Sequence, residues 1–372
     1  MSTDINKNSC GILNIDVDAI CYNYIRLSEE VSNAECGACV KANCYGLGME
    51  KIAPALAESG CNDFFVAFVA EGICLRQLLP KVNIHVFEGV SVTPPKLFFD
   101  YSLTPALNSL VEIESWVEFS KDRKGPALCD IHIDTGMLRL GLTSRDIAKL
   151  QQNSNLLKTV NCDILMSHLA CADEKYNPKN NEQLKQFNEL KQIFDYNRLS
   201  LANSSAIFLG KEYHFDLVRP GAALYGINPI PAETSPVLQV VNLKGKIQQI
   251  RSVDTPQTVG YGATHKIKKP SKLATVGIGY GDGYFRCENN TRTVFIDNNP
   301  VPIIGRVSMD SITIDVTTIP EQRVQPGMTV DLICQNHTVD NLAHENQTIG
   351  YEILTAMGNR YQRIYKQGNN LR

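Results

Sequence analysis

The sequence predicts an α/β protein of two domains, a (β/α)8 barrel of the TIM type followed by a mainly β C-terminal domain. Between about residues 14 and 230, short apolar or β-branched runs alternate with helical patterns of roughly ten to fifteen residues, the rhythm of repeated βα units. After Pro231 the sequence changes to β-rich runs separated by Gly, Pro, Asn and Asp. The length of 372 residues also favours two domains over one.

We place the barrel domain at residues 14–232. The alternation of apolar runs and helical patterns indicates its candidate strands. Each strand is a short apolar run, and Thr143 or Ser144 can start one of the helices between them. The candidate barrel strands are Leu13–Asp16, Cys36–Val40, Asp63–Ala67, Ile84–Phe87, Ser102–Pro105, Cys129–Ile133, Asp163–Ser167, Leu199–Ala202 and Gly221–Tyr225.

The β domain is placed at residues 233–372, and residues 1–13 are expected to pack with it. The seam between the domains falls in PIPAETSPV, residues 229–237, which is rich in Pro with Ser and Thr. The candidate strands of the β domain lie in the runs VLQVVNLKGKIQQI, KLATVGIGYG, TVFIDNNPVPIIGRV, SITIDVT and MTVDLICQN.

Composition excludes several classes of protein. The 36 Lys and Arg are balanced by 39 Asp and Glu, so the chain is not a cationic nucleic-acid binder. No apolar run approaches the ~18 residues of a membrane span, and the N-terminus has no secretory leader pattern. We therefore expect a cytoplasmic enzyme that acts on a small molecule and binds neither nucleic acid nor a membrane.

The cysteines and histidines predict no metal site. The 12 Cys are scattered singly through apolar segments, which is typical of reduced thiols that pack as small hydrophobic groups. Cys36 and Cys39 form a C-x-x-C pair, but no second pair completes a zinc site. His85, His132 and His168 lack metal-binding spacing.

Reactive groups in a parallel barrel gather at the carboxyl ends of the strands. Any one polar residue there is more often structural, since a Lys after a strand is usually solvated and a lone His is usually hydrogen-bonded within the fold. The co-occurrence of several such residues favours a site. The polar residues at candidate strand ends are Lys41, Arg139, His168, Ser204 and Arg219.

Two of these positions, Lys41 and Ser204, indicate particular chemistry together with residues near them. Lys41 follows the apolar run CGACV, where burial would destabilise the ammonium form and leave a nucleophilic amine. Tyr45 opens the run YGLG and could donate a hydrogen bond to a phosphate. Ser204 and the main-chain N–H groups of Gly221 and Ala222 could bind the same anion.

From residue 40 to 353 the chain carries the motifs of one family in that family's order. The motifs are VKANCYGLG, IDTGMLRLG, SHLACADE, ANSSA, VRPGAALYG, VGYGATH, IGYGDGY, IGRVSMDSITID and IGYEI. With them the chain resembles alanine racemase. The lysine and arginine motifs are shared more widely among barrel enzymes that use pyridoxal phosphate, whereas YGAT with GRV-x-MD is typical of the racemases. The resemblance implies a homodimer in which each active site combines a barrel with the partner's β domain.

The resemblance also implies the cofactor, pyridoxal 5'-phosphate, and a role for each site residue. Lys41 would bind the cofactor covalently and act as one acid/base, with Tyr261 of the partner subunit as the base on the opposite face of the substrate. The cofactor phosphate would be bound by Tyr45, Ser204, Gly221, Ala222 and Tyr351, and the cofactor ring by Arg219 and His168. The substrate carboxylate would be held by Arg139 and the main chain of Met309, and the channel into the site would be lined by Asp173, Tyr280 and Arg306.

These roles suit the interconversion of L- and D-alanine, which supplies D-alanine for peptidoglycan. Racemisation removes a proton from one face of Cα and returns one to the other, and two bases on opposite faces do this without moving the substrate. Arg219 cannot release its proton at working pH, so it would leave the pyridine nitrogen unprotonated and weaken the cofactor as an electron sink.

The chain departs from the family pattern before Arg139. Many relatives have a carbamylated Lys seven positions earlier, where this chain has His132. Another group, such as a bound chloride or a nearby acid, would then have to support Arg139. Leu47 and Cys44 also differ from the common family residues.

Other functions stay open at this point. The closest alternative is a pyridoxal-phosphate decarboxylase of basic amino acids, although an acidic residue would be expected where Arg219 stands. A racemase of broader substrate range and a non-catalytic protein that binds pyridoxal phosphate are further alternatives. A metal-dependent barrel hydrolase would need a histidine and carboxylate set that the sequence does not offer.

Overall fold

The computed structural model of the protein describes residues 8–31, 33–121, 127–153, 156, 159, 161–287 and 292–368. The described residues form two compact units. One unit is Ile20–Leu238, and the other joins residues of Met1–Ala19 to residues of Gln239–Arg372. The boundary after Leu238 lies just beyond the predicted seam.

Strands and helices alternate in the first half of the chain, and strands dominate the second half. The elements of the first half are β1 Gly11–Asp16, α1 Val17–Val31, β2 Glu35–Cys36, β3 Ala38–Cys39, α2 Lys41–Tyr45, α3 Met49–Glu58, β4 Asp63–Val66, α4 Val69–Leu78, β5 Asn83–Val86, α5 Pro95–Asp100, β6 Thr104–Leu107, α6 Leu110–Ser120, β7 Leu128–His132, α7 Ser144–Gln152, β8 Asn161–Met166, α8 Pro178–Leu190, β9 Arg198–Ser200 and β10 Leu217–Val218. Those of the second half are β11 Val241–Val253, β12 Gln257–Val259, β13 His265–Ile267, β14 Ser271–Val276, β15 Thr293–Ile296, β16 Asn299–Ile304, β17 Ile312–Asp315, β18 Thr329–Ile333, α9 Val339–Glu345, α10 Gly350–Thr355 and β19 Gln362–Lys366.

The first unit is a closed parallel barrel. The strands β3 to β9 form a 7-stranded sheet in chain order, and β10 pairs in parallel with β2. Main-chain hydrogen bonds from Asp216 N to Leu199 O (3.1 Å) and from Arg219 N to Ala202 O (2.9 Å) connect the β9 and β10 segments. Because β2 and β3 are parts of one extended segment interrupted only at Gly37, the sheet closes on itself with β10 as its last strand. The predicted α/β barrel is confirmed.

Local sequence explains the barrel's strands and helix starts. All residues of β4 are buried, as expected of a parallel strand covered on both faces. At α7, Thr143 Oγ1 accepts a hydrogen bond from Asp146 N (3.2 Å), and an Asp146 carboxylate oxygen accepts one from Thr143 N (3.1 Å). This reciprocal capping box fixes the helix start at the predicted position.

Charged residues form a buried network near the amino ends of the barrel strands. The fully buried His85 contacts Asp130 through Nδ1 (2.7 Å to Oδ2) and Asp63 through Nε2 (3.1 Å to Oδ1). Arg198 forms ion pairs with Asp63 (2.9 Å) and Asp163 (2.7 Å). Burial opposes protonation of His85, but the carboxylates of Asp130 and Asp63 together outweigh it and raise the pKa of His85 to about 9. The network therefore joins several strands through compensated charges.

The second unit confirms the predicted mainly β fold. Its 8-stranded sheet has the order β14-β17-β16-β15-β18-β11-β1-β19. The long strand β11 also pairs with β14, so that part of the sheet curls into a barrel. The pairs are antiparallel, apart from β1 with β19.

Two predicted barrel strands are wrong. Leu13–Asp16 lies in β1, which pairs with β11 and β19 of the β unit. Its residues alternate between buried and half-buried, the pattern of a strand with one face packed on a core, rather than the continuous burial of a barrel strand. Gly221–Tyr225 is a turn ending in a short 3-10 helix, and the barrel strand before it is Leu217–Val218. The turn is buried, which explains its apolar, strand-like sequence.

The remaining expectations concern thiols and membranes. The 12 cysteines are outside disulfides, and half of them are buried, as expected of thiols that pack as small hydrophobic groups. Within the described part of the chain, no helix combines the length and the apolar character needed to cross a membrane.

Candidate active site

The polar residues predicted at strand ends follow strands of the barrel unit. Lys41 comes after β3, His168 after β8 and Arg219 after β10, while Arg139 and Ser204 lie in the segments after β7 and β9. The carboxyl ends of parallel strands meet at one mouth of a barrel. The structure therefore places these residues after barrel strands, although the sequence misplaced the last strand.

The segment Lys41–Tyr45 is a left-handed turn. Four successive residues have positive φ: 51° at Ala42, 54° at Asn43, 55° at Cys44 and 53° at Tyr45. Each such residue other than glycine costs roughly 1–2 kcal/mol relative to the right-handed conformation, so the surrounding contacts must hold the turn. Lys41 itself is half-buried, with Nζ 5.8 Å from the centre of the Phe87 ring.

The left-handed turn brings Tyr45 to the segment that follows β10. A Cβ atom on Gly221 would lie 2.2 Å from Tyr45 Oη, so only glycine allows this approach. Ser204 Oγ accepts hydrogen bonds from Gly221 N (2.9 Å) and Ala223 N (3.2 Å), which fixes the backbone around Ala222. Two hydroxyl groups and a backbone turn thus form a small polar cradle at the barrel mouth, which fits a phosphate.

Arg219 is a buried cation beside this cradle. Its guanidinium donates to Ser200 Oγ and to the main-chain oxygen of Ser167 (2.6 Å). Burial lowers the pKa of Arg219 to about 10, an effect opposed by the Cys39 thiol and the Asp130 carboxylate. Arg219 therefore remains charged at neutral pH, with its guanidinium held in one orientation by the two hydrogen bonds.

The cations at the barrel mouth keep two histidines neutral. Burial, followed by the positive charges of Arg219 and Arg139, holds the pKa of His168 well below its usual range. The same causes lower the pKa of His132 to about 3, against the opposing effect of Asp134. Both imidazoles are thus uncharged at neutral pH and can accept a hydrogen bond through one ring nitrogen.

Arg139 and Asp173 lie in exposed loops of the barrel unit. The Arg139 loop is shaped by Asp134 Oδ1, which accepts hydrogen bonds from Gly136 N (2.8 Å) and Met137 N (3.0 Å). Asp173 lies at the edge of a largely apolar cavity whose other lining residues include Phe208, Leu209, Ile230 and Pro231.

The predicted residues of the β unit lie on its surface. Tyr261 is 62% exposed and begins a turn between Gly260 (φ 71°) and Gly262 (φ 74°). Arg306 packs on this turn, since a Cβ atom on Gly262 would lie 2.9 Å from its Nη1. The glycines therefore allow Arg306 to lie against the turn that carries Tyr261.

A second surface group contains Tyr280 and Met309. Tyr280 N donates to Ser308 O (3.0 Å), and Gly281 N donates to Met309 O (2.8 Å). Both predicted side chains are exposed, Tyr280 by 40% and Met309 by 53%. Tyr351 lies near the start of α10 and is also exposed.

Sequence reasoning missed two residues at the barrel mouth, Glu71 and Asn108. Glu71 accepts a hydrogen bond from Ala42 N (2.5 Å), and Asn108 Oδ1 accepts one from His132 Nδ1 (2.9 Å). Glu71 carries a local signal, because an acid at the third position of a helix is typical of a cap. No sequence pattern marks Asn108, because its hydrogen bond to His132 depends on β6 and β7 being neighbours in the barrel.

Fold and site together define a class of protein. A lysine on a left-handed turn, a buried guanidinium and a polar cradle converge at the carboxyl end of a (β/α)8 barrel. The cradle fits an anion, and the lysine can form a covalent bond to a carbonyl group. The barrel unit is that of an enzyme that binds a phosphorylated carbonyl cofactor.

Comparisons with known proteins identify the family. The profile of the alanine racemase N-terminal domain matches residues 15–229, and that of the alanine racemase C-terminal domain matches residues 240–365. The alanine racemase of Rhodospirillum rubrum is 44% identical over 359 residues, which are 95% of this chain and 96% of that protein. The alanine racemase of Brucella abortus is 40% identical over 371 residues, covering 95% of this chain and 93% of that protein.

Solved structures agree with the sequence matches. The alanine racemase of Bartonella henselae, crystallised with covalently bound pyridoxal phosphate, has a TM-score of 0.93 and 38% identity over 96% of this chain and 100% of that chain. The biosynthetic alanine racemase of Pseudomonas aeruginosa has a TM-score of 0.89 and 29% identity, with 96% and 100% coverage. The chain belongs to the alanine racemase family, as its motifs predicted, and the predictions of an isomerase and of the fold class are confirmed.

Proposed function

We propose that this chain interconverts L- and D-alanine with pyridoxal 5'-phosphate as cofactor. The observation that carries the proposal is the convergence of Lys41, Arg219 and the Tyr45 cradle at one barrel mouth. The family membership of the chain supports the same reaction. We further propose that the product D-alanine is used for peptidoglycan.

Different residues would bind the different chemical groups of the cofactor. Lys41 would bind it covalently through Nζ, and Arg219 and His168 would contact its ring. Its phosphate would be held by Tyr45, Ser204, Gly221 and Ala222 of the barrel unit, and we propose Tyr351 of the β unit as a further phosphate ligand. The space left by the missing Cβ of Gly221 supports this placement, because a larger residue would push Tyr45 out of the cradle.

When bound, the cofactor withdraws electrons from the substrate Cα and so makes loss of its proton easier. Arg219 limits this effect. Because its pKa of about 10 keeps it charged at neutral pH, Arg219 can only donate to the pyridine nitrogen and cannot supply a proton that would strengthen electron withdrawal. A weaker electron sink favours prompt return of the proton over side reactions.

Two bases on opposite faces of Cα would move the proton. Lys41 Nζ would serve one face, and Oη of the partner subunit's Tyr261 would serve the other, each accepting a proton in one direction of the reaction and donating it in the other. The 62% exposure of Tyr261 supports this role, because the side chain is available to a second subunit. The proposed assembly is a homodimer with shared active sites.

The remaining residues would select and admit the substrate. Arg139 and the main chain of Met309 would bind the alanine carboxylate, for which an exposed guanidinium is well suited. Asp173, Tyr280 and Arg306 would line the channel into the site. The enzyme would work in the cytoplasm, which the 12 free cysteines favour, since thiols persist in a reducing compartment.

A direct test combines spectroscopy with isotope exchange. Purified protein should absorb near ~420 nm in a band that borohydride reduction removes, as expected of pyridoxal phosphate bound to a lysine. Incubation with L-alanine in heavy water should give equal amounts of both enantiomers with deuterium at Cα. A band without racemisation would direct attention to other amino acids or to decarboxylation, and no band after addition of pyridoxal phosphate would contradict the role of Lys41.

A further inference from the structure

The carboxylate of Glu71 joins two separate segments at the barrel mouth. Glu71 is the third residue of α4, and its Oε2 accepts hydrogen bonds from Ala67 N (2.9 Å) and Phe68 N (3.3 Å), the residues that precede the helix. Its Oε1 accepts a hydrogen bond from Ala42 N (2.5 Å). One side chain therefore caps a helix with one oxygen and binds the residue after Lys41 with the other.

The bond to Ala42 falls where the left-handed turn begins. Ala42 is the first of four successive residues with positive φ, and its N–H belongs to the peptide that links it to Lys41. Farther along, the turn is closed by Gly46 N to Ala42 O (2.7 Å) and Met49 N to Asn43 Oδ1 (2.7 Å). The bond to Glu71 therefore ties the Lys41–Ala42 peptide to another element of the fold.

Helix capping alone does not explain this arrangement. At α7 the equivalent acid, Asp146, accepts two hydrogen bonds from the cap residue Thr143, through its N–H (3.1 Å) and Oγ1 (2.8 Å), and its carboxylate has no other hydrogen bond among the described residues. In both helices a single carboxylate oxygen caps the helix start. At α4 the second oxygen of Glu71 accepts the hydrogen bond from Ala42 N in the turn after Lys41. Asp146 is thus a matched comparison for Glu71.

We propose that Glu71 is a positioning residue, which holds the turn after Lys41 in its left-handed form so that Lys41 Nζ and Tyr45 Oη face the same cofactor. This inference rests on the proposed role of Lys41 as the residue that binds pyridoxal phosphate. Without the link, the turn can relax toward the less strained right-handed region, which moves the lysine relative to the cradle.

Three variants of the full-length protein test the proposal. Glu71→Gln removes the negative charge and replaces one carboxylate oxygen by an NH2 group, so the side chain can no longer accept hydrogen bonds from both Ala42 and the start of α4. Glu71→Asp keeps an acid that can cap α4 but is one methylene too short to reach Ala42 as well. Asp146→Asn weakens a capping box remote from Lys41 and controls for the general loss of stability.

The readouts are amide hydrogen exchange and cofactor affinity. In the cofactor-free chain, we expect exchange at residues 42–45 to accelerate in both Glu71 variants and to stay unchanged in Asp146→Asn. The dissociation constant for pyridoxal phosphate, measured by absorbance titration, should rise roughly 10- to 100-fold in the Glu71 variants, the range that corresponds to loss of a hydrogen bond to a charged group. Thermal unfolding of all three variants reports the capping effect separately.

The outcomes separate this inference from the proposed function. Unchanged exchange at residues 42–45 in Glu71→Asp, or unchanged cofactor affinity despite faster exchange, would overturn the positioning role. If the wild-type protein does not bind pyridoxal phosphate through Lys41, the proposed function fails, and the exchange measurement still reports whether Glu71 holds the turn.

Discussion

Asn108 fixes the tautomer of His132. The Asn108 amide nitrogen donates to the main-chain oxygens of Ala106 (2.8 Å) and Phe87 (3.0 Å), so its Oδ1 must face the imidazole. His132 Nδ1 then carries the proton and donates to that oxygen (2.9 Å), which leaves the lone pair on Nε2. With its pKa near 3, His132 presents this acceptor, uncharged, among the cations Arg219 and Arg139.

This relationship predicts the effect of replacing Asn108 by Asp. A carboxylate in place of the amide would favour the imidazolium. The pKa of His132 should therefore rise from about 3 toward the ordinary histidine value of ~6.5. Histidine-labelled NMR should then detect a new titration between roughly pH 5 and 7. Activity should fall as His132 becomes charged, because a protonated Nε2 can no longer act as an acceptor beside Arg139 and Arg219. An imidazole that titrates identically in both proteins would contradict the inferred tautomer.

The Gly221→Ala variant tests the phosphate cradle. The added Cβ would lie 2.2 Å from Tyr45 Oη and must displace that side chain. The φ of Gly221 is −130°, outside the left-handed region, so the clash with Tyr45 is the direct effect of the added Cβ. We expect affinity for pyridoxal phosphate to fall by at least ~10-fold, the effect of losing roughly 1.4 kcal/mol of binding free energy, as measured by equilibrium titration.

A matched control exists in the β unit. Among the described residues other than its chain neighbours, the nearest heavy atom to a Cβ on Gly358 would be Asp282 O at 3.5 Å, an ordinary contact distance. Gly358→Ala should therefore leave cofactor affinity unchanged. Equal affinity in the two variants would mean that Tyr45 does not contribute to phosphate binding.

Sequence patterns predicted the barrel because its strands are short, continuous apolar runs separated by helices. The same rule failed at Leu13–Asp16 and Gly221–Tyr225. The former precedes a helix, as a barrel strand would, and only its alternating burial and its pairing with β11 reveal that it belongs to the β unit. The latter is apolar because it is a buried turn, and burial alone does not distinguish a turn from a strand.

Sequence reasoning proposed those site residues that have a reactive or charged group and directly follow a predicted strand. Lys41 and Arg219 stand at strand ends and bear reactive or charged groups, so their positions along the chain suffice. Glu71 and Asn108 act through neighbours that are distant in the sequence, at Ala42 and His132. Such bonds depend on strand order and on helix placement, which no local pattern encodes.

The buried network at His85 predicts a dependence of stability on pH. The folded pKa of His85 is raised to about 9 from an unfolded value near ~6.5, so its stabilising contribution is complete below pH ~6.5 and is lost as the pH rises through about 9. The loss amounts to something on the order of 3 kcal/mol. Urea unfolding of the wild type between pH 6 and 10 should show this decline.

Two variants separate His85 from other titrating groups. His85→Gln should have lower stability at pH 6 and a flatter pH dependence above it. His344→Gln changes an exposed histidine and should keep the wild-type slope. A wild-type decline that persists in His85→Gln would assign the pH dependence to a different group.

The shared active site can be tested by mixing two inactive variants. We expect Lys41→Ala to lack the cofactor band and Tyr261→Phe to lose proton exchange far more from one enantiomer than from the other, since each base serves one face. If Tyr261 acts in the partner's site, a mixed dimer has one site with both defects and one site with neither. Random reassociation of equal amounts should then restore roughly one quarter of wild-type activity, because half of the dimers are mixed and each has one intact site. If Tyr261 served its own subunit, every site in the mixture would carry one defect, and activity would not return.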